Sequence, residues 1–261
     1  MSLDLTHPVL VAAGCGGTGR ELALEGVGGL VTRTITLTAR AGAAAPRIEE
    51  SPAGWLRALG VPNPGLDQFL ALELPGLVQR NVPVIVSIAA ERPDELAELA
   101  RRIGQAPGVR AVEVGVGAVL PEPTPAQLAN VVETVLPQLP AGVPLIAKVG
   151  LAVPGVVGLA RAAVAAGAGA LTIGGGLPAA MRDGRPAELS GPAIAPVAMA
   201  ALLRVRQALP EVPLLSGGGV TTAEDARLRL AAGATAVQLG AALLHDPTTA
   251  ARLAAEIGEA R

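Results

Sequence analysis

The stretch VPLLSGGGVTTAEDARLRLAAGATAVQLG, residues 212–240, decides the fold. Two apolar runs, Val212–Ser216 and Ala234–Leu239, enclose the segment Ala223–Ala232, which has a helical pattern. Continuous apolar strands that are joined through a helix indicate a parallel sheet, because the crossover returns the chain to the same edge. The stretch therefore predicts one β-α-β unit, with a run of three glycines directly after its first strand.

The same alternation of strand and helix fills the rest of the chain. The earlier strands are predicted at Pro8–Ala13, Gly29–Leu37, Val82–Ile88, Val109–Val116, Val143–Val149 and Ala168–Ile173. The other helices are predicted at Gly19–Gly26, Leu66–Gln79, Pro93–Ile103, Pro125–Leu136, Val156–Ala166, Ala193–Leu209 and Pro247–Ile257. Eight strand–helix repeats predict an α/β fold, a single (β/α)8 TIM barrel over residues 1–261, with a doubly wound open sheet as the alternative.

Two segments interrupt this pattern. The polar stretch Thr38–Pro64, rich in proline and glycine, is predicted as an insertion after strand 2. A second insertion, Gly174–Leu189, follows strand 6. Because active sites of TIM barrels are built from the loops after the strands, we expect the first insertion to lie on the face that carries the site.

Composition narrows the classes of function. Of the 261 residues, 51% are hydrophobic and 16% are charged, which suits one large core. The net charge of −2 gives no long-range attraction to nucleic acid or to an anionic membrane, and no apolar run is as long as a membrane span. One cysteine and two histidines predict no disulfide framework and no metal site. We expect a cytoplasmic protein.

Glycines follow the last two predicted strands, in the segments Ser216–Val220 and Leu239–Ala242. In TIM barrels, phosphate groups bind where these two loops meet a helix N-terminus, and glycine lets backbone N–H groups approach the anion. Thr221–Thr222 is expected to supply the helix cap, and Glu224–Asp225 the acid of a capping box. A pair of tight turns without a ligand is the alternative, although three consecutive glycines favour a ligand.

Six motifs lie in order along the chain: Pro8–Gly14, Thr32–Thr36, Asn63–Gly65, Ala147–Val149, Leu189–Ile194 and Gly218–Gly240. Together they resemble the dihydroorotate dehydrogenase family, and in particular the class 1 bacterial catalytic subunit that pairs with an iron–sulfur flavin subunit. The resemblance implies an FMN-binding oxidoreductase of pyrimidine biosynthesis, and therefore a single FMN-binding TIM-barrel domain.

The resemblance also implies where FMN binds. Ala13 and Gly14 are expected beside the isoalloxazine ring, and Lys148, the single lysine, at its pyrimidine edge. An ion pair between Lys148 and Glu113 on the neighbouring strand is the alternative for this lysine. The ribityl-phosphate path is expected to be lined by Ser190, Gly191, Gly218, Gly219, Gly240 and Ala241.

The sequence departs from the family on the substrate side. The cysteine or serine that serves the family as general base falls on Gly117 or Ala118, and neither residue can accept a proton. The second-strand lysine of the family corresponds to Arg33, an asparagine corresponds to Arg57, and Asn63 is retained. These three residues are predicted to bind the substrate, because two arginines are able to hold a small carboxylic acid.

Three hypotheses follow for the function. The first is an FMN-dependent oxidoreductase with an altered small-molecule substrate. The second is a non-catalytic flavin- or phosphate-binding homologue that acts as an assembly subunit. The third is dihydroorotate oxidation in which water or another residue replaces the base. A homo-oligomer or an electron-transfer subunit is open as a partner, and the sequence locates no interface.

Overall fold

Eight parallel strands close into a barrel in the computed structural model, which describes residues 3, 5–115, 117, 123–151 and 155–258. Their order around the barrel is β1-β12-β11-β8-β7-β6-β5-β2. They span Val9–Val11 (β1), Gly29–Val31 (β2), Val84–Ile88 (β5), Val109–Val114 (β6), Leu145–Val149 (β7), Ala170–Ile173 (β8), Leu214–Gly217 (β11) and Ala236–Leu239 (β12). Because β1 pairs with both β2 and β12, the sheet has no open edge. The predicted (β/α)8 barrel is confirmed, and the open-sheet alternative is wrong.

Helices cover the outside of the barrel. They span Leu66–Gln68 (α1), Leu74–Val78 (α2), Pro93–Gly104 (α3), Pro125–Val135 (α4), Val156–Ala165 (α5), Ala195–Ala208 (α6), Ala223–Ala231 (α7), Ala242–His245 (α8) and Thr249–Gly258 (α9). A π-helical turn, Phe69–Glu73, joins α1 to α2. None of the helices in the described ranges is both long and apolar enough to cross a membrane.

The helix predicted at Gly19–Gly26 does not form, and turns occupy these residues. Gly19 and Gly26 have φ angles of 77° and 72°, which lie in the left-handed region. A right-handed helix cannot continue through such angles. The prediction was wrong because the helix-forming residues of this segment lie between two glycines, and the backbone angles of those glycines make the segment a loop.

The barrel strands separate two layers of apolar side chains. One residue from each strand points into the barrel, and this inner cluster consists of Leu10, Val31, Ile85, Ala111, Ile146, Ala170, Leu215 and Ala236. The residues that flank them on the strands, such as Val9 and Val11, belong to the larger cluster packed beneath the helices. This alternation follows from the two-residue period of a β-strand.

The next inward-facing layer is polar and lies two residues further along the strands, toward their carboxyl ends. On β6, β7, β8 and β12 it consists of Glu113, Lys148, Thr172 and Gln238. The strand period that fills the barrel with apolar side chains thus places a layer of polar side chains near the carboxyl ends of the strands.

A small antiparallel sheet stands outside the barrel, in the order β3-β4-β10-β9. Strands β3 (Ile48–Ser51) and β4 (Gly54–Arg57) come from the first insertion, and β9 (Leu177–Ala180) and β10 (Pro186–Ser190) come from the second. The sequence pattern predicted neither pair of strands. In the pairing of β4 with β10, Trp55 lies opposite Ser190, and Arg57 lies opposite Glu188. The two insertions therefore form one structure that carries residues to the barrel mouth.

The fold predicts a large difference between two residues of the same helical segment. Phe69 is fully buried, whereas Leu72 is 63% exposed. Phe69→Ala should lower the free energy of unfolding by about 3–5 kcal/mol, because it leaves a cavity in the core. Leu72→Ala should change it by less than about 0.5 kcal/mol. Urea denaturation of both variants measures the difference, and equal effects would contradict the packing described here.

Candidate functional site

A cleft opens at the carboxyl ends of the barrel strands, beside the central strands β4 and β10 of the small sheet. Its wall contains Ala13 and Lys148. The six residues predicted to line a phosphate path, Ser190, Gly191, Gly218, Gly219, Gly240 and Ala241, all line the same cleft. Gly14 lies next to this wall in sequence and has a φ angle of 76°. The structure therefore brings together residues from β1, β7, β10, β11 and β12 that are far apart in sequence.

Two glycine-containing turns form one end of the cleft. Gly218 and Gly219 have φ angles of 102° and 79°, which favour glycine. A Cβ atom on Gly219 would lie 2.8 Å from the backbone nitrogen of Ala195, so this turn packs tightly against the start of α6. Among the described residues, no acceptor is present for the backbone N–H groups of Gly218, Gly219, Val220, Gly240 and Ala241. Unpaired amides at such turns are suited to bind an anion.

The N-terminus of α7 is already occupied by an acid of the same helix. The Thr222 hydroxyl accepts from the Asp225 backbone N–H at 3.1 Å, and the Asp225 carboxylate accepts from the N–H groups of Thr221 and Thr222 at 3.0 and 2.9 Å. This confirms the predicted capping box and assigns it to Thr222 and Asp225. The N–H groups of Thr221 and Thr222 are therefore not available to an anion in the cleft.

The capping hydrogen bonds change the pKa of Asp225. Burial by itself raises the pKa of its carboxyl group, but the hydrogen bonds from Thr221 and Thr222 outweigh burial and lower the pKa below its usual value. A lowered pKa means that the carboxylate form is stabilised in the folded protein relative to the unfolded chain. The negative charge of Asp225 thus lies close to the turn that offers its amides to an anion.

Lys148 of β7 and Glu113 of β6 meet in the barrel, and β8 separates β7 from the glycine turn after β11. The Lys148 Nζ atom lies 3.8 Å from Glu113 Oε1, and the lysine side chain is 27% exposed. Glu113 is fully buried, and its Oε2 atom accepts a hydrogen bond from the Thr172 hydroxyl at 2.7 Å. Its Oε1 atom has no hydrogen-bond donor among the described residues. The ion pair considered from the sequence is thus present, and it leaves Lys148 on the wall of the cleft.

Arg57 is the predicted substrate residue that lines the cleft. Its Nη1 atom donates to Cys15 Sγ at 3.5 Å, and its Nη2 atom lies 3.4 Å from Glu188 Oε2. Its buried Nε atom has no acceptor in the described part of the chain. These contacts are long for a guanidinium group, so Arg57 retains capacity to bind an anion.

The other two predicted substrate residues have protein partners. Arg33 does not line this cleft; its Nε atom lies 3.7 Å from Glu73 Oε2 and, like that of Arg57, has no hydrogen-bond acceptor in the described part of the chain. The Asn63 side chain accepts from the backbone N–H of Gly65 at 2.9 Å, and donates to the Thr36 hydroxyl and the Val61 carbonyl at 2.8 and 3.0 Å. Asn63 is 6% exposed, so these bonds hold the first insertion together and would have to break before its amide could contact a ligand.

The general base of the family was expected to fall on Gly117 or Ala118. Gly117 has open space where a Cβ atom would project, and it has no side chain to accept a proton. Ala118 lies outside the described residues. Among the described residues, no group of three or more His, Cys, Asp or Glu side chains is arranged to hold a metal ion.

Sequence reasoning missed two features of this site. Gln238 lines the cleft, and its amide Nε2 lies 3.4 Å from both Glu113 Oε2 and Thr172 Oγ1. Its position two residues after the inward-facing Ala236 is the signal that could have found it. Arg229 of α7 is buried behind the Gly218 turn, and the sequence analysis did not single it out.

Comparison with known proteins gives one consistent result. The family model described as dihydroorotate dehydrogenase matches residues 1–119 and 180–260. A catalytic subunit of dihydroorotate dehydrogenase B (NAD(+)) from Desulforudis audaxviator is 42% identical over 98% of this chain and 89% of its own length. The proteins of the same description from Anoxybacillus flavithermus and Pelobacter propionicus are 36% and 37% identical, over 98% and 97% of this chain and 87% and 88% of their own lengths.

The capping box predicts a pH-dependent contribution to stability. Because the pKa of Asp225 is lower in the folded protein, its contribution is present above the unfolded value of about 3.9 and is lost as the pH falls through the folded value. Asp225→Asn should reduce the free energy of unfolding by about 1 kcal/mol at pH 7 and by less at pH 3. Urea denaturation at both pH values tests this, with Glu224→Gln as the control on the exposed side of the same turn. A penalty for Asp225→Asn that is equal at the two pH values would contradict the assignment.

Proposed function

The chain belongs to the dihydroorotate dehydrogenase family, and we propose that it is an FMN-dependent oxidoreductase acting on a small carboxylic acid other than dihydroorotate. One observation carries the proposal. The same cleft is lined by the unpaired backbone amides of two glycine turns, after β11 and β12, and by Lys148 of β7, which β8 separates from β11. A nucleotide-like ligand with an anionic tail and an electron-accepting ring fits this distribution of charge.

The glycine turns fit the phosphate of FMN. A phosphate monoester carries up to two negative charges near neutral pH and several acceptor oxygens, so it needs several donors that converge on one point. The turns around Gly218–Val220 and Gly240–Ala241 supply N–H groups that lack acceptors among the described residues. Ser190 and Gly191 of the small sheet line the same end and would close over the ribityl chain.

The Lys148 end fits the ring. Bound FMN would supply two-electron redox chemistry, and negative charge develops on its ring system when it is reduced. Lys148 would hold a positive charge beside that developing charge, and the buried carboxylate of Glu113 at 3.8 Å would keep the lysine in place. Because Thr172 and Gln238 hold the other oxygen of Glu113, the position of Lys148 is fixed from below by three strands of the barrel.

Arg57 supports a carboxylic acid as the substrate. Its guanidinium group lines the cleft and has long contacts to Cys15 and Glu188, so a carboxylate could replace them with shorter, charge-assisted bonds. Arg33 and Asn63 stay predictions, because both would first have to leave their present partners. Dihydroorotate is disfavoured as the substrate because Gly117 has no group to take up the proton of its carbon acid.

That same absence favours a second candidate function. A cleft that binds FMN but has no base at Gly117 suits a non-catalytic flavin- or phosphate-binding homologue that acts as an assembly subunit. The relatives are named catalytic subunits, which supports a further subunit as the partner of this chain, and electron transfer is the role that we propose for it.

Both candidate functions include FMN bound beside Lys148, and FMN binding by Lys148 variants tests this. Lys148→Met should weaken FMN binding, and the loss should be larger for reduced than for oxidised FMN, by about tenfold or more. The reason is that the lysine charge acts on the negative charge gained on reduction. Fluorescence titration and the two-electron midpoint potential measure this effect, and Lys148→Arg should restore part of it. Arg110→Met, on the exposed side of the neighbouring strand β6, is the control; a Lys148→Met variant that behaves like it would contradict the assigned role.

Anaerobic addition of substrate distinguishes the functions. We expect the FMN-loaded protein to keep its visible flavin absorbance when dihydroorotate is added, because Gly117 offers no base. Dithionite is the control and should bleach the same sample. Bleaching by dihydroorotate would overturn the proposal that the substrate is a different acid. Bleaching by another small carboxylic acid, lost in Arg57→Met, would favour the enzyme over the non-catalytic homologue.

A further inference from the structure

A buried cation lies directly behind the glycine turn at residues 217–219. Arg229 of α7 is 3% exposed, and its guanidinium group donates three hydrogen bonds. The acceptors are the Ser216 hydroxyl at 3.0 Å, the Ala195 carbonyl at 2.9 Å and the Gly218 carbonyl at 2.9 Å. One side chain thus connects the end of β11, the glycine turn and the first residue of α6.

All three acceptors of Arg229 are neutral. Arg229 forms no ion pair with any carboxylate of the described residues. Asp225, one helical turn earlier, is the nearby acid, but its carboxylate is occupied by the amides of Thr221 and Thr222. Burial accordingly lowers the pKa of Arg229, and the charge of Asp225 offsets this in part. A buried charge with neutral partners is unfavourable unless an opposite charge approaches.

The bond to Gly218 also sets the direction of an amide. In a planar trans peptide the C=O group of one residue and the N–H group of the next point to opposite sides. Because the Gly218 carbonyl points at Arg229, the Gly219 N–H points away from it. Gly219 lines the cleft, and its N–H has no acceptor among the described residues. Arg229 therefore holds an amide donor in the orientation that an anion in the cleft requires.

We infer that Arg229 is a positioning residue that makes this end of the cleft selective for a phosphate monoester over its unphosphorylated counterpart. Its charge balances the phosphate dianion through the turn, and its hydrogen bond fixes the Gly219 amide. The inference rests on the proposed function, because FMN is the phosphate monoester in question. It adds that occupancy by phosphate relieves a charge imbalance built into the fold, so that the phosphate should stabilise the protein more than its hydrogen bonds alone.

A purely structural role would give a different pattern, and the chain offers a matched control. Arg206 of α6 also donates to carbonyl groups alone, those of Gly233, Leu209 and Pro210, at 2.6–3.1 Å. None of these residues lines the cleft. Arg206→Met therefore removes an equivalent backbone clamp without touching the glycine turn.

The test compares two ligands in each variant. The dissociation constants of FMN and riboflavin, which differ by the phosphate group, are measured by fluorescence titration for the wild type, Arg229→Met, Arg229→Lys and Arg206→Met. In Arg229→Met, FMN should bind about tenfold or more weakly, while riboflavin changes little, so the ratio of the FMN dissociation constant to the riboflavin dissociation constant rises. Arg229→Lys keeps the charge but not the three-way fork, so its ratio should lie between the other two. Arg206→Met should leave the ratio at the wild-type value.

The outcomes separate the inference from the proposed function. A wild-type ratio in Arg229→Met overturns the inference, and if that variant does not fold, a wild-type ratio in Arg229→Lys does so instead. If the wild-type protein binds neither flavin, the proposed function fails. Inorganic phosphate then tests Arg229 alone: it should raise the melting temperature of the wild type above that in chloride of equal ionic strength. No such rise, or an equal rise in Arg229→Lys, overturns the inference.

Discussion

The site depends on a constraint that backbone amides impose. Backbone N–H groups need acceptors, and the turns after β11 and β12 leave five of them on the cleft wall without one among the described residues. Glycine makes these turns feasible, since Gly218 and Gly219 adopt left-handed angles and Gly219 packs against the backbone of Ala195. The barrel then holds the two turns side by side, because β11 and β12 are neighbouring strands. A bound anion would complete what the protein leaves unsatisfied.

The charged residues around these turns meet the same need for hydrogen-bond partners of backbone groups. Asp225 places a negative charge at the start of α7 because it caps the helix, and Arg229 places a positive charge on the next turn. Each group binds backbone or hydroxyl partners instead of the other, so neither charge is cancelled by an ion pair. On the other side of β8, Lys148 and Glu113 do form a pair, with the carboxylate fully buried. The cleft thus combines one cation that is paired with a carboxylate and one that is not.

Much of this arrangement could be predicted from the sequence. The strand period and the strand–helix alternation predicted the barrel, and the glycine runs after the last two strands predicted two turns that line one cleft. The resemblance to the family indicated Lys148 and Ser190 as residues of one cleft, and both line it. Each of these features is local. Each rests on a short motif, and the strand–helix context of that motif repeats along the chain.

The rest depends on contacts between distant segments. Strands β4 and β10 pair across more than a hundred residues, and their sequences of four and five residues are too short to predict a sheet. This pairing brings Arg57 to the cleft. Asn63 matched a family motif, but its amide is used to fold the first insertion, which only the tertiary contacts reveal. Arg229 was missed because arginine is usually exposed, and its burial depends on three acceptors from other elements.

The central claim is that the glycine turns hold the phosphate of FMN while Lys148 faces its ring. A crystal structure of the chain with FMN tests this most directly. The account predicts phosphate oxygens at about 2.7–3.2 Å from the backbone nitrogens of Gly219 and Gly240, and the Lys148 ammonium group beside the pyrimidine edge of the flavin. A flavin bound elsewhere, or turns that make no contact with its phosphate, would contradict it.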